Sequence, residues 1–169
     1  MRCPDSVQDK SVRSNSYRMI LPMYNSNNRF LLRAGFNQLK QDMGFTQIRF
    51  YCFKKNASRV VHIMTTQNST GMDVVKFFTT SDTMPVACGS FTRLPNDNSS
   101  LAANCDKWGY PLSNRWGHSS HKNNVRLFLK PMAWALTKFF RIIDTNFYKC
   151  DDKVNIMSLG DTWQIFVRW

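Results

Sequence analysis

Apolar and polar residues alternate between Gln47 and Thr66, and this alternation predicts a β-hairpin. The first strand has two distinct faces, which carry Ile48, Phe50 and Cys52 on one side and Arg49, Tyr51 and Phe53 on the other. Residues 54–58 form a polar turn, and the returning segment is rich in β-branched residues. We therefore expect antiparallel strands at 47–54 and 59–66.

Alternation returns at the end of the chain, where Trp163, Ile165 and Val167 share one face of a strand predicted at 162–168. Elsewhere the pattern is less decisive. A short helix fits between Gly35 and Gly44. Residues 68–80 fit a helix capped by Ser69 or Thr70, or a strand from Val74 to Thr79. Residues 131–143 fit a helix that begins at Pro131, or strands broken at that proline.

Composition supports an α+β, β-rich fold with antiparallel sheets and one or two short helices. All eleven acidic residues are Asp, and the chain has no Glu, the acidic residue that favours helices. Residues 1–28 are polar and basic, and we interpret them as a poorly ordered lead-in to a single domain at 29–169. The first fourteen residues lack the apolar stretch of a signal peptide, as expected of a fragment. No apolar run reaches the roughly 18 residues of a membrane span.

The net charge of +12 points to acidic partners. The basic residues in predicted loops are the candidate contacts: Lys54, Lys55, Arg115 and Lys122. Aromatic residues lie between basic ones in IRFYCFKK, which keeps an intracellular nucleic-acid-binding protein open as the alternative function.

The sequence favours a binding domain over an enzyme. It contains no phosphate-binding glycine loop, zinc-protease motif or nucleophile elbow. His118 and His121 lie in a Ser/Asn loop without a helix to align them, so we expect neither a metal nor another cofactor. A nucleophilic pair of His62 with Cys52 or Cys88 has no supporting local motif.

Three N-glycosylation sequons begin at Asn56, Asn68 and Asn98, and all three fall in predicted turns. The five cysteines are widely spaced, which suits disulfides in an oxidising compartment and buried thiols in the cytosol equally well.

The order of several segments resembles a cysteine-containing extracellular domain of the uncharacterised skeletal organic matrix proteins of reef-building corals and related secreted proteins. The segments that carry this resemblance are GFTQIRFYC, RVVHIMTTQNSTGMDVVKFFT, PVACGSF, DNSSLAANCDKWG, RWGH, CDD and LGDTWQIFVRW. It implies a secreted protein that is found with extracellular matrix or mineral and has no assigned molecular activity, and it implies that Cys52 is half of a disulfide. With the basic charge, it leads us to expect a non-enzymatic extracellular interaction domain that binds matrix components or acidic glycans. The basic charge departs from the acid-rich composition expected of a protein that grips calcium mineral directly.

The four later cysteines allow three pairings. We predict that Cys88 pairs with Cys105, because the loop between them is too polar to be held by packing alone. The second predicted pair, Cys52 with Cys150, ties the two ends of the domain together. Cys3 remains unpaired or bonds outside the domain.

Overall fold

The computed structural model describes residues 12–14, 16–20, 29–31, 33–109, 111–117, 133–136, 138–141 and 162–169. The strands are β1 Val12–Ser14, β2 Arg29–Leu31, β3 Gln47–Lys54, β4 Arg59–Thr65, β5 Phe91–Arg93, β6 Ala133–Leu136, β7 Lys138–Arg141 and β8 Thr162–Arg168. The helices are α1 Tyr17–Ile20, α2 Arg33–Met43, α3 Ser69–Thr79 and α4 Ser100–Ala103, followed by a 3₁₀ turn at Cys105–Lys107.

A four-stranded antiparallel sheet in the order β5-β4-β3-β8 organises these elements. β3 lies in its interior and pairs on one side with β4, which follows it in the chain, and on the other with β8. The predicted α+β, β-rich class is confirmed. The strands β3 and β8 have the predicted bounds, while β4 ends one residue early, at Thr65.

One face of this sheet is buried against α3, and we call it the inner face. Ile48, Phe50 and Cys52 of β3 point into it and are almost completely buried. The ring of Phe50 lies 5.4 Å from that of Phe78 on α3 and 5.5 Å from that of Trp116. The predicted face of the first strand therefore supports the core.

Two buried tryptophans complete this core, and both have hydrogen-bond partners for their indole N–H groups. Trp108 donates to the carbonyl of Leu101 at 2.9 Å, and Trp116 donates to the hydroxyl of Ser90 at 2.8 Å. Their rings meet edge to face at 5.0 Å, a favourable arrangement for aromatic pairs. Because both indole N–H groups are bonded, the tryptophans add apolar area at little desolvation cost.

α3 is a helix, so the strand reading of residues 74–79 is wrong. Its N-cap is Asn68, and neither Ser69 nor Thr70 occupies that position. The Asn68 side-chain oxygen accepts from the backbone N–H of Gly71 at 3.1 Å. Helical periodicity buries Val74, Val75 and Phe78 as predicted, because these positions fall on the side that faces the sheet.

The helical reading of residues 131–143 is also wrong. β6 and β7 form a two-stranded antiparallel ladder, in which Leu136 is opposite Lys138. The break between them thus falls after Leu136, whereas the alternative reading placed it at Pro131. Aromatic residues such as Trp134, Phe139 and Phe140 favour strands, which accounts for the outcome.

The described part of the lead-in contacts the rest of the chain. β1 and β2 form a parallel ladder, and the Tyr17 hydroxyl donates to Asp42 of α2 at 2.6 Å. This hydrogen bond, and after it that from Arg18, holds the pKa of Asp42 below its ordinary value. The carboxylate is therefore ionised at neutral pH, and these contacts weaken only as the pH falls through that lowered pKa. The predicted boundary at residue 29 stays a prediction.

Disulfide bonds crosslink the folded chain. Cys88 and Cys105 are bonded as predicted, and they close a loop with a sequence separation of 17. Cys52 is also disulfide-bonded, as the resemblance implied. Its predicted partner Cys150 and the odd Cys3 lie outside the described residues, so the Cys52–Cys150 pairing stays a prediction.

We expect peptide mapping without reduction to join Cys88 to Cys105 and Cys52 to Cys150. Cys150 is the expected partner because it precedes β8, the strand whose Trp163 is opposite Cys52 in the ladder. A peptide joining Cys52 to Cys88 would contradict this pairing, and five reactive thiols in the denatured protein would show that no disulfide is formed.

Replacing Phe78 by Ala is expected to lower the free energy of unfolding by about 3–5 kcal/mol, because the ring is fully buried among aromatic neighbours. The matched control is Phe166→Ala on β8, whose side chain is 40% exposed and whose loss should cost much less. Urea unfolding of both variants measures the difference. Equal losses would place Phe78 outside the core.

Candidate acidic-ligand interface

The side of the four-stranded sheet that faces away from α3 forms a second surface, which we call the outer face. Strand alternation assigns it, among others, nine described residues: Arg49, Tyr51 and Phe53 of β3, Val60, His62 and Met64 of β4, and Gln164, Phe166 and Arg168 of β8. Gln164, Phe166 and Arg168 are exposed, and most of the others are half-buried. This face carries aromatic and cationic side chains together.

Arg49 lies at the centre of the outer face. Its Nε donates to Nε2 of His62 at 2.7 Å. Its guanidinium carbon lies 4.7 Å from the centre of the Phe166 ring, on the strand at the other side of β3. The side chain thus connects β4, β3 and β8 and holds a cation over an aromatic ring.

The ring of His62, which accepts the hydrogen bond from Arg49, is itself held in place by the loop after β5. Its Nδ1 lies 2.6 Å from the side-chain oxygen of Asn96 and 3.1 Å from the carbonyl of Pro95. Because Arg49 donates to Nε2, the hydrogen-bond pattern assigns the proton to Nδ1. Both ring nitrogens are occupied, and the residue is only 9% exposed, so His62 acts as an anchor for Arg49.

The loop after β5 binds the edge of β4 through side chains in place of a strand. The Asp97 carboxylate accepts from the backbone N–H of His62 at 2.6 Å, and Asn98 accepts from that of Val60 at 2.7 Å. Asn96 adopts a positive φ of 71°, which asparagine tolerates better than most residues. The ladder is therefore continued by two polar side chains, and Asn96 is brought against His62.

Charge on the outer face has one sign among its described residues. Arg49 and Arg168 are cationic, and none of the nine residues is acidic. The nearby Asp97 side chain is fully buried and lies 2.9 Å from Arg93, which compensates its charge. In the register, Arg49 is opposite Phe166 and Arg168 is opposite Gln47, so the two arginines lie diagonally across adjacent strands.

The four predicted ligand contacts differ in their exposure. Lys54 is wrong as a contact, because it continues the inner face of β3 and is 2% exposed. Lys55 is exposed in the hairpin turn, as predicted. Arg115 is half-buried, and its backbone bridges to Val86. Lys122 lies outside the described residues.

Sequence reasoning placed Arg49, Phe166 and Arg168 on strand faces but did not select them as site residues. The available signal was the alternation itself, which separates Arg49 from the core-facing positions. The predicted Cys52–Cys150 pair places the last strand near the hairpin. What the sequence left open was which strand it pairs with and in what register, and this decides that Arg49 is opposite Phe166.

The hypothetical cysteine–histidine pair is not formed, because Cys52 and Cys88 are both in disulfides. Within the described ranges, no group of three or more His, Cys or Asp residues has the arrangement of a metal site. His118 and His121 lie outside these ranges. None of the described helices combines the length and apolar character needed to cross a membrane. No family model, curated protein or solved structure matches the chain.

We expect Arg49→Ala to lower the free energy of unfolding by about 1–3 kcal/mol, because it leaves Nε2 of the buried His62 without its described donor. Arg168→Ala removes the same charge from an exposed position and should change stability by less than about 0.5 kcal/mol. Urea unfolding distinguishes the two variants. Equal effects would show that the contact of Arg49 with His62 does not anchor the outer face.

Proposed function

We propose that this chain is a non-enzymatic extracellular interaction domain that binds acidic glycans on its outer face, in a matrix-associated or recognition role. The observation that carries the proposal is the outer face itself, where Arg49 and Arg168 flank the exposed ring of Phe166 and no described residue of that face is acidic.

The chemistry of this face suits a sulfated or carboxylated polysaccharide. A guanidinium group binds sulfate or carboxylate through paired N–H donors. Phe166 offers an apolar surface to the C–H groups of a sugar ring. The net charge of +12 attracts such a polymer from a distance.

Disulfides support an extracellular location, because they persist in oxidising compartments. The resemblance to the skeletal organic matrix domain points the same way, and it remains part of the proposal. Nucleic acid is a second acidic polymer, and its binding is the outcome that would favour the alternative function.

The experiment is retention on immobilised heparin, followed by titration with a heparin-derived oligosaccharide over a range of salt concentrations. Affinity should fall steeply with salt, because binding releases counterions. Arg168→Gln should weaken binding and reduce the salt slope by about one unit. Lys76→Gln is the matched control, because it removes an exposed cation from α3, on the opposite side of the sheet.

A second pair of variants tests the aromatic contact. Phe166→Ala should weaken binding and leave the salt slope unchanged, because it removes apolar surface without charge. Leu112→Ala removes a comparable exposed apolar group from a loop and should have no effect. Tighter binding to a single-stranded oligonucleotide of equal charge, or retention lost at ordinary ionic strength, would contradict the glycan proposal.

A further inference from the structure

The three sequons differ in what their asparagine side chains do in the folded chain. Asn56, Asn68 and Asn98 are all exposed, so exposure alone does not separate them. Their hydrogen bonds do, because N-glycosylation changes the side-chain nitrogen and leaves the oxygen in place. The inference drawn from these bonds rests on the extracellular location proposed above.

Asn98 uses both atoms of its amide as a substitute for a neighbouring strand. Its Oδ1 accepts from the backbone N–H of Val60 at 2.7 Å. Its Nδ2 donates to the backbone carbonyl of Ser58 at 2.9 Å. The backbone N–H of Asn98 also donates to the carbonyl of Val60 at 3.1 Å. The residue therefore occupies the edge of β4 where a strand would otherwise pair.

Glycosylation would remove the hydrogen that this arrangement needs. In the transfer, Nδ2 bonds to the anomeric carbon of a glycosyl diphosphate donor, the bond from that carbon to the diphosphate breaks, and Nδ2 loses one proton. The product is a planar secondary amide whose trans form puts the sugar on the same side as the amide oxygen. When a primary amide bonds to one strand through both its oxygen and its nitrogen, the hydrogen it donates is the one on the same side as the oxygen. A sugar on Asn98 would thus replace the hydrogen directed at Ser58.

Asn68 presents the opposite case. Its Oδ1 accepts from the hydroxyls of Thr66 and Thr70 at 2.6 and 2.7 Å and from the N–H of Gly71 at 3.1 Å. All three bonds end on the oxygen, so the capping of α3 is kept when a sugar occupies the nitrogen. No contact among the described residues uses the Asn68 nitrogen.

Asn56 lies in the turn between β3 and β4, and its exposed side chain makes no hydrogen bond with the described residues. Attachment of a glycan there breaks no hydrogen bond among the described residues.

We propose that Asn56 and Asn68 carry N-linked glycans and that Asn98, despite its sequon, stays unmodified as part of the β4 edge. The two glycans lie at opposite ends of β4, and neither attachment site is on the outer face. The surface that binds the acidic ligand stays open between them.

The test is expression of the full chain behind a secretion leader in eukaryotic cells, with site occupancy mapped by mass spectrometry after enzymatic release of glycans in heavy-oxygen water. Two sites, Asn56 and Asn68, should acquire the label. Asn56→Asp and Asn68→Asp should each remove one glycan, and Asn68→Asp preserves the helix cap. Ser100→Ala destroys the third sequon without changing Asn98, and it should remove none.

Any other occupancy overturns the proposal, whether three glycans, one or none. A stability measurement on unglycosylated protein provides a second readout. Asn98→Asp replaces the donor to Ser58 by a second oxygen and should lower the unfolding midpoint, whereas Asn56→Asp should leave it unchanged. Equal midpoints would also overturn the proposed role of Asn98. Heparin binding is measured separately, so failure here and failure of the proposed function are distinguishable.

Discussion

The pairing of β3 with β4 on one side and β8 on the other is the constraint on which the described structure depends. A strand paired on both sides has its backbone donors and acceptors satisfied by neighbours, so its two faces are free to differ. On the inner face, Phe50 contacts Phe78 and Trp116. On the outer face, Arg49 contacts His62 and Phe166. The same ladder thus supports both the core and the candidate ligand surface.

The edge of β4 shows how a short strand is supplemented. β5 covers only the residues from Ile63 to Thr65, and beyond it Asp97 and Asn98 bond the backbone of β4 through their side chains. The same loop places Asn96 against His62. An edge covered in this way presents fewer unpaired groups to other chains. As a consequence the side-chain amide of Asn98, the asparagine of a glycosylation sequon, is used in hydrogen bonds to the backbone.

The disulfide between Cys88 and Cys105 holds the segment that brings the tryptophans into the core. Trp108 follows Cys105 by three residues, and its ring stacks on Phe91 at 5.0 Å. The loop between the two cysteines buries Leu101 and Ala102 in the core, and closing it lowers the entropy of the unfolded chain. The crosslink and the buried aromatic rings therefore stabilise the same region.

The sequence by itself determined β3, β4 and β8 of the main sheet, because alternation with period two assigns every residue of a strand to a face once one of them is buried. It did not predict β5, which has only three residues and is too short to show alternation. It determined the Cys88–Cys105 pair as well, since the polar loop indicated a local crosslink. The same alternation rule puts Lys54 on the inner face with Cys52, although its charge and its position beside the turn had suggested a ligand contact. Only the tertiary structure decided that Arg49 meets Phe166, because this contact depends on which strands are neighbours and in what register, and contacts between distant residues leave no periodic signal in the sequence. The role of Asn98 was likewise hidden, because a sequon records three residue types and not the hydrogen bonds of the folded amide.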